Sequence, residues 1–433
     1  MASWLIRNAT MVTMDDDGTL LPEADLLIED TDIAGLWPKG EMPKETAADN
    51  TIEAGGMVAM PGLINAHTHC AMTLLRGYAD DMPLMPWLEE RIWPFEMKLQ
   101  EDDVYWGTLL GIAEMIRGGV TCFNDMYHYF AATARAVVDS GIRANVSGVL
   151  LAFLPDADER LERAIEFAAE WKTKGDGRLV TMLGPHAPYT CPNHLLHRVI
   201  EGAGEAGVGI HIHVSETAQE VEDSLREFNQ TPVERLQDIG LLDVSPVVAA
   251  HCVHLTDSDI ETLAEKQVGI SHNPGSNMKL ASGTAPIPRL LEANAIVGLG
   301  SDGAASNNNL DILEEARLAA LLHKLQGGDP TLVTAQQALC MATRGGAEAL
   351  GIHDRVGQLR PGMKADVVLL DFRQAHLFPQ HDIVSHLIYA ARAGDVRTVF
   401  VNGRPLMIDR ELQTLDEEEI FGQVGERLKR LVG

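Results

Sequence analysis

Residues 61–69 read Pro61-Gly62-Leu63-Ile64-Asn65-Ala66-His67-Thr68-His69. A short apolar run that ends in His-Thr-His predicts a strand over Gly62–His69. Side chains two apart on a strand share a face, so both imidazoles point the same way and can bind one ion. An HxH pair alone is more often incidental than functional. Its meaning depends on what the other strand ends carry.

Seven further strand candidates follow: Val120–Asp125, Arg143–Leu150, Leu179–His186, Gly209–Glu216, Val247–Leu255, Gly269–Pro274 and Ala295–Asp302. Helical patterns fall between most of them. Glu101–Arg117 is amphipathic and stops at Gly118-Gly119, and Ala157–Lys172 and Ala218–Ile239 also read as helices. Eight strands alternating with helices predict an α/β fold, a closed parallel (β/α)8 barrel of the TIM type. The alternative is an open doubly wound sheet. The count of eight, and the lack of a G-x-G-x-x-G opening the first unit, favour the barrel.

Both chain ends read differently from the middle. Trp4–Ile6, Met11–Met14 and Ala24–Glu29 are strand-like, as are Ala365–Leu370 and Val396–Val401, with Asn402-Gly403 as a hairpin turn. The expected organisation is a small β-sandwich domain made from residues 1–58 plus 360–433, and a barrel domain over 59–359.

In a barrel of this type the chemistry sits at the C-terminal ends of the strands. Here those ends carry His67-Thr68-His69, His211-Ile212-His213-Val214-Ser215-Glu216, His251-Cys252-Val253-His254 and Ser301-Asp302. Chance seldom places His, His with Glu, His and Asp at four separate strand ends. Three histidine nitrogens and a carboxylate suit zinc or a similar divalent ion, with one position open for water.

Composition narrows the partners. The 433 residues hold 34 Lys plus Arg against 63 Asp plus Glu, a formal net charge of −29. That balance disfavours nucleic acid, which needs a basic footprint, and an anionic membrane surface. It suits a small neutral or zwitterionic substrate. The five cysteines are widely spaced with no CxxC, so neither a disulfide framework nor a cysteine metal site is expected. No signal peptide and no 18-residue apolar stretch is visible, and the chain reads as cytoplasmic.

The motifs PGLINAHTH, HVSE, HCVHL and GSDGAASNN resemble the amidohydrolase superfamily, in its mononuclear deaminase branch. The likeness spans essentially the whole chain. Within that branch, residues 61–99 and the PHAPYT run at 185–190 are most similar to the 5′-methylthioadenosine/S-adenosylhomocysteine deaminases. Related chlorohydrolases and other deaminases share much of the same motif set.

The resemblance implies one divalent metal per chain, zinc above all, held by His67, His69, His213 and Asp302. It makes Glu216 the proton-shuttling acid and His251 the histidine beside the reacting water. Asp302 and His251 would accept or orient that water's proton. Leu179–His186 contains no lysine that could bridge a second metal, which supports a single ion. His211, His254 and His272 stay outside the ligand set, as packed or supporting histidines.

The same resemblance places Glu96 on the ribose hydroxyls, His186 on a purine ring nitrogen and Ser306 near the base. Glu216 also meets the base through the proton it gives. A carboxylate suits a vicinal diol because it accepts from both hydroxyls at once. Trp87 would give an apolar wall and one N–H donor, whereas Trp93 reads equally well as packing of the loop. The implied reaction is hydrolytic deamination of methylthioadenosine, S-adenosylhomocysteine or adenosine to the inosine analogue and ammonia. Guanine, pterin or triazine hydrolysis keeps the site but lacks a diol for Glu96. A non-catalytic scaffold is the reading from another class, and it fits poorly with a complete ligand set. For a homocysteine carboxylate Arg143 is one candidate partner, and a second subunit of a homo-oligomer is another.

Overall fold

A computed structural model describes residues 2–172 and 174–432. Eight parallel strands form one sheet in chain order: β1 (Leu63–Thr68), β2 (Val120–Tyr127), β3 (Arg143–Leu150), β4 (Leu179–Pro185), β5 (Gly209–Val214), β6 (Val247–His251), β7 (Gly269–His272) and β8 (Ile296–Leu299). The sheet closes on itself. Asp302 N donates to His67 O at 3.0 Å, and Ser301 N donates to Asn65 Oδ1 at 3.0 Å. Every residue of β1, β2 and β3 is buried, as expected for parallel strands covered by helices outside and side chains inside.

The helices Glu101–Arg117 and Ala157–Trp171 fall where the periodicity places them. The long helix expected over Ala218–Ile239 is instead two, Ala218–Phe228 and Pro232–Asp238. Asn229 is left-handed at φ 55°, which ends the first. Thr231 and Glu234 then form a reciprocal capping box with Pro232 at the first helical position, which starts the second.

The terminal segments build one nine-stranded sheet. Its two halves meet where Met57–Pro61 pairs antiparallel with Val367–Asp371. The expected sandwich is therefore a single hydrogen-bonded path with a core of its own, made by Ile6, Met11, Leu26, Ile28, Leu369 and Phe400 among others. The two strands expected at Trp4–Ile6 and Met11–Met14 are one strand, Trp4–Val12, with register shifts around Asn8 at φ 59°. Bulges bend such a strand without ending it. The Asn402-Gly403 hairpin forms as expected, both residues having positive φ.

Arg143 ties the barrel to this sheet. It begins β3, at the N-terminal face, and its Nε and Nη2 donate to Asp366 at 2.8 and 2.9 Å. The same Asp366 accepts from Asn402 N at 2.8 Å. A buried guanidinium needs its charge matched, and Asp366 matches it. Arg143 is thus removed as a partner for a homocysteine tail. Among the described residues, no helix is long and apolar enough to cross a membrane.

Candidate active site

The strand ends converge as the sequence predicts. His67 Nε2 and His69 Nε2 each lie 3.3 Å from Asp302 Oδ1, and His69 Nε2 lies 3.3 Å from His213 Nε2. His67, His69 and Asp302 offer ligand atoms within 4.8 Å of one another, as do His67, His213 and His251.

The hydrogen bonds around these rings decide what the cluster can hold. His69 Nδ1 lies 2.6 Å from Met126 O, and His213 Nδ1 lies 2.6 Å from His186 O. A carbonyl oxygen only accepts, so each Nδ1 carries the proton and each Nε2 presents a lone pair. Two lone pairs therefore face each other. His67 Nε2 is also buried with no hydrogen-bond partner. A cation among these atoms resolves both features. Ligand atoms at tetrahedral zinc distances of about 2.0–2.1 Å sit about 3.4 Å apart, close to the spacings here. The donor set fits a divalent metal.

Burial favours the neutral form of His67 and His213, as ligation requires. It lowers His67 to about 4 and holds His213 well below the ordinary value. For Asp302 burial opposes ionisation, but the imidazoles of His67, His69 and His251 around it hold it well below the usual carboxylate range. Its Oδ2 accepts from Ser276 at 2.6 Å and Ser306 at 2.9 Å, and Gly303 N donates to Oδ1 at 2.8 Å. Ser306 thus holds Asp302, besides lining the cavity.

Glu216 and His251 stand beside the cluster, Oε2 to Nε2 at 3.8 Å. Burial raises Glu216 above the ordinary value, partly offset by His251. Burial alone would lower His251, but the carboxylates of Glu216 and Asp302 reverse the sign and raise it. A carboxyl pushed upward in a cleft is suited to carry a proton.

Local backbone explains why these groups project into the mouth. Ser215, His251, Cys252 and Asp302 have φ of 52°, 72°, 48° and 61°. Left-handed residues end the ladder, so the strands are shorter than the sequence suggests, and Glu216 and Asp302 lie just past β5 and β8. Such strain persists where neighbours hold it. Glu220 does so for Glu216, its carboxylate accepting from Ser215 N at 3.0 Å and Glu216 N at 2.8 Å. At Gly300 a Cβ would lie 2.4 Å from Ser271 Oγ and 2.9 Å from His67 Cβ, so only glycine fits beside the first ligand.

A cavity open at its mouth rises from the cluster. Its lining includes His69, His213, Glu216, His251, Asp302 and Ser306, with the His186 ring 4.8 Å from that of His213, and also Trp87, Trp93 and Glu96. Three short helical turns over residues 84–96 supply Trp87 and Glu96. The Trp87 N–H donates to Ala79 O at 2.9 Å, so its donor braces the loop and it offers the cavity only its apolar face. Trp93 does line the cavity, with its ring 5.0 Å from that of Phe153.

Several neighbours escaped the sequence reading. His128 Nε2 lies 3.6 Å from Glu96 Oε2, and Asn277 Oδ1 lies 2.8 Å from His251 Nδ1. Ser282 Oγ donates to Glu216 Oε1 at 3.4 Å. The rule that found Asp302 would have found His128, which follows directly on β2, had that strand not been ended at Asp125. Of the three histidines set aside, His254 donates to Ser282 O at 2.7 Å and His272 pairs with His323 at 3.1 Å, whereas His211 touches His67 of the cluster at 2.8 Å.

An eight-stranded parallel barrel with a His/Asp cluster of this kind at its C-terminal strand ends is the architecture of the metal-dependent hydrolases. The chain belongs to the amidohydrolase family, whose model matches residues 58–406. It is 51% identical over 432 residues to a 5-methylthioadenosine/S-adenosylhomocysteine deaminase of Pelotomaculum thermopropionicum, covering 100% of this chain and 99% of that one. A deaminase of the same description from Moorella thermoacetica is 50% identical over 99% of this chain and 100% of its own. Among solved structures, a zinc-bound adenosine deaminase from Xanthomonas campestris matches with TM-score 0.95 and 38% identity, covering 99% of this chain and 98% of that one. A zinc complex of atrazine chlorohydrolase from Arthrobacter aurescens matches with TM-score 0.90 and 27% identity, over 98% and 100% of the two chains.

Proposed function

We propose that this chain deaminates adenosine-type nucleosides bearing a 5′ thioether, methylthioadenosine and S-adenosylhomocysteine above all, with one zinc ion per chain. Full-length relatives at about half identity support the substrate class. The observation that carries the reading is that one cavity is lined by the His/Asp cluster, by Glu216 and by the Glu96 carboxylate. A base at the cluster and a ribose diol on Glu96 would then share that cavity.

His67, His69, His213 and Asp302 would hold the ion, which when bound would activate a water as nucleophile near neutral pH. Asp302 and His251 take or orient the proton that this water loses. Glu216 gives its proton to purine N1 as C6 becomes tetrahedral. Its carboxylate then takes the proton of the new C6 hydroxyl and passes it to the amino group, which departs as ammonia, and the proton held by Asp302 or His251 restores the acid. His186 is kept neutral by burial, which lowers it to about 3. Its Nδ1 lies 3.0 Å from the Thr190 hydroxyl. When that hydroxyl turns its proton from Ala187 O, 3.2 Å away, to Nδ1, the Nε2–H is free to meet a purine ring nitrogen.

An outer cavity shares Trp93, Glu96, His128 and Leu151 with the first and adds Phe153, Leu154 and Arg160. Its apolar wall suits a methylthio group, and Arg160, whose Nε pairs with Asp156 at 2.7 Å, keeps further guanidinium N–H groups for a homocysteine carboxylate, a role the fully buried Arg143 cannot fill.

The test is ammonia release, measured as kcat/KM over adenosine, methylthioadenosine, S-adenosylhomocysteine, adenine, guanine and a triazine. The thioether nucleosides are expected to lead. A free base or triazine that outruns every nucleoside refutes the proposal.

A further inference from the structure

Of the three histidine ligands, two have their proton fixed by a backbone carbonyl. The third is different. His67 Nδ1 faces another imidazole, His211 Nε2, at 2.8 Å, and either ring could be the donor. The next contact removes that freedom. Ser147 Oγ lies 2.6 Å from Asp125 O. Two oxygens that close need a proton between them, and a carbonyl has none, so the serine hydroxyl donates there. Its single proton being spent, Ser147 can only accept from His211 Nδ1, which lies 3.2 Å away. His211 then carries its proton on Nδ1 and presents a lone pair at Nε2. That lone pair takes the Nδ1–H of His67, which leaves His67 Nε2 unprotonated and facing Asp302 Oδ1 at 3.3 Å.

We infer that Ser147 and His211 are positioning residues whose ordered hydrogen bonds set the tautomer of His67 and aim its Nε2 lone pair at the metal. The inference rests on the proposed metal site and extends it to two residues that never touch the ion. His211 comes from β5, Ser147 from β3 and Asp125 from β2, so the chain of bonds crosses the barrel interior beneath the cluster. All three residues are fully buried, so water does not supply a substitute acceptor from bulk. Reversing any one bond reverses the rest and puts a proton on His67 Nε2, where a cation must bind. Partners that orient a ligating histidine are worth about 10–100-fold in metal affinity or activity.

The test reads zinc affinity, by competition with a chelator, and proton location, by 15N NMR of histidine-labelled protein. H211L removes the acceptor and is expected to weaken zinc binding about 10–100-fold. H211Q restores an acceptor through its amide oxygen and is expected to recover most of that loss. In the wild-type protein both His67 and His211 should carry their proton on Nδ1, a reading that does not depend on the variants folding. A proton on His211 Nε2, or a folded H211L with wild-type zinc affinity, overturns the relay while leaving the deaminase reading intact. A wild-type chain with no zinc affinity overturns the metal site itself.

Discussion

His69 Nε2 and His213 Nε2 face each other across 3.3 Å, and both rings commit their only proton to a backbone carbonyl on the far side. Two lone pairs at that distance repel unless a cation lies beside them. Met126 O and His186 O thus present both Nε2 lone pairs to one point, an arrangement suited to a metal ion.

The first prediction follows from that arrangement. Purified protein is expected to hold one divalent ion per chain, with zinc preferred, and to lose activity on chelation and regain it on adding zinc. Elemental analysis against active-site titration checks this. Two equivalents at full activity would contradict the single-ion site.

Glu216→Gln should keep the shape of the site and remove the acid. General acid–base groups typically contribute about 10²–10⁴-fold, and kcat should fall by that order while zinc content stays at the wild-type level. A variant that keeps most of its kcat excludes Glu216 as the proton carrier.

Glu315 gives a prediction on stability. It is buried, accepting from Gly275 N at 2.9 Å and Asn307 Nδ2 at 2.9 Å, and burial raises its carboxyl to about 8 from an ordinary 4.5. Between those values the folded chain keeps a proton that the unfolded chain has lost. Stability from this group therefore falls as pH rises from 4.5 towards 8, by at most about 1.4 kcal/mol per pH unit, and is level outside that window. The Tm of wild type minus that of E315Q should decline across the window and flatten above it. Parallel curves would show that Glu315 titrates normally.

Much of this architecture is legible in residue order because a barrel repeats one simple rule. His67, His213, His251 and Asp302 each end a strand, and strand ends of a closed parallel barrel meet. What stayed hidden depends on partners far along the chain. Arg143 reads as a free cation until Asp366, more than two hundred residues later, is seen to pair with it. The Trp87 N–H reads as a ligand donor until Ala79 O takes it. The break in 218–239 was written locally, in Thr231-Pro232 followed by Glu234, but the surrounding apolar periodicity masked it. His211 reads equally as packing or as support, because its role lies in a bond direction, which only the Ser147 to Asp125 contact fixes.

The central claim is that one cavity reads a nucleoside, its ribose on Glu96 and its base at the metal cluster. The measurement that tests this most directly is a cycle of kcat/KM for wild type and Glu96→Ala on a nucleoside and its 2′,3′-dideoxy analogue. Hydrogen bonds to a charged group are worth about 1.5–3 kcal/mol each, so wild type should lose roughly 10²-fold or more on the dideoxy compound, at about 1.4 kcal/mol per decade. Glu96→Ala should be slow on the normal nucleoside and nearly blind to the missing hydroxyls, because both changes remove the same interaction. If instead the two losses multiply, Glu96 does not hold the ribose, and a free base or triazine becomes the better substrate.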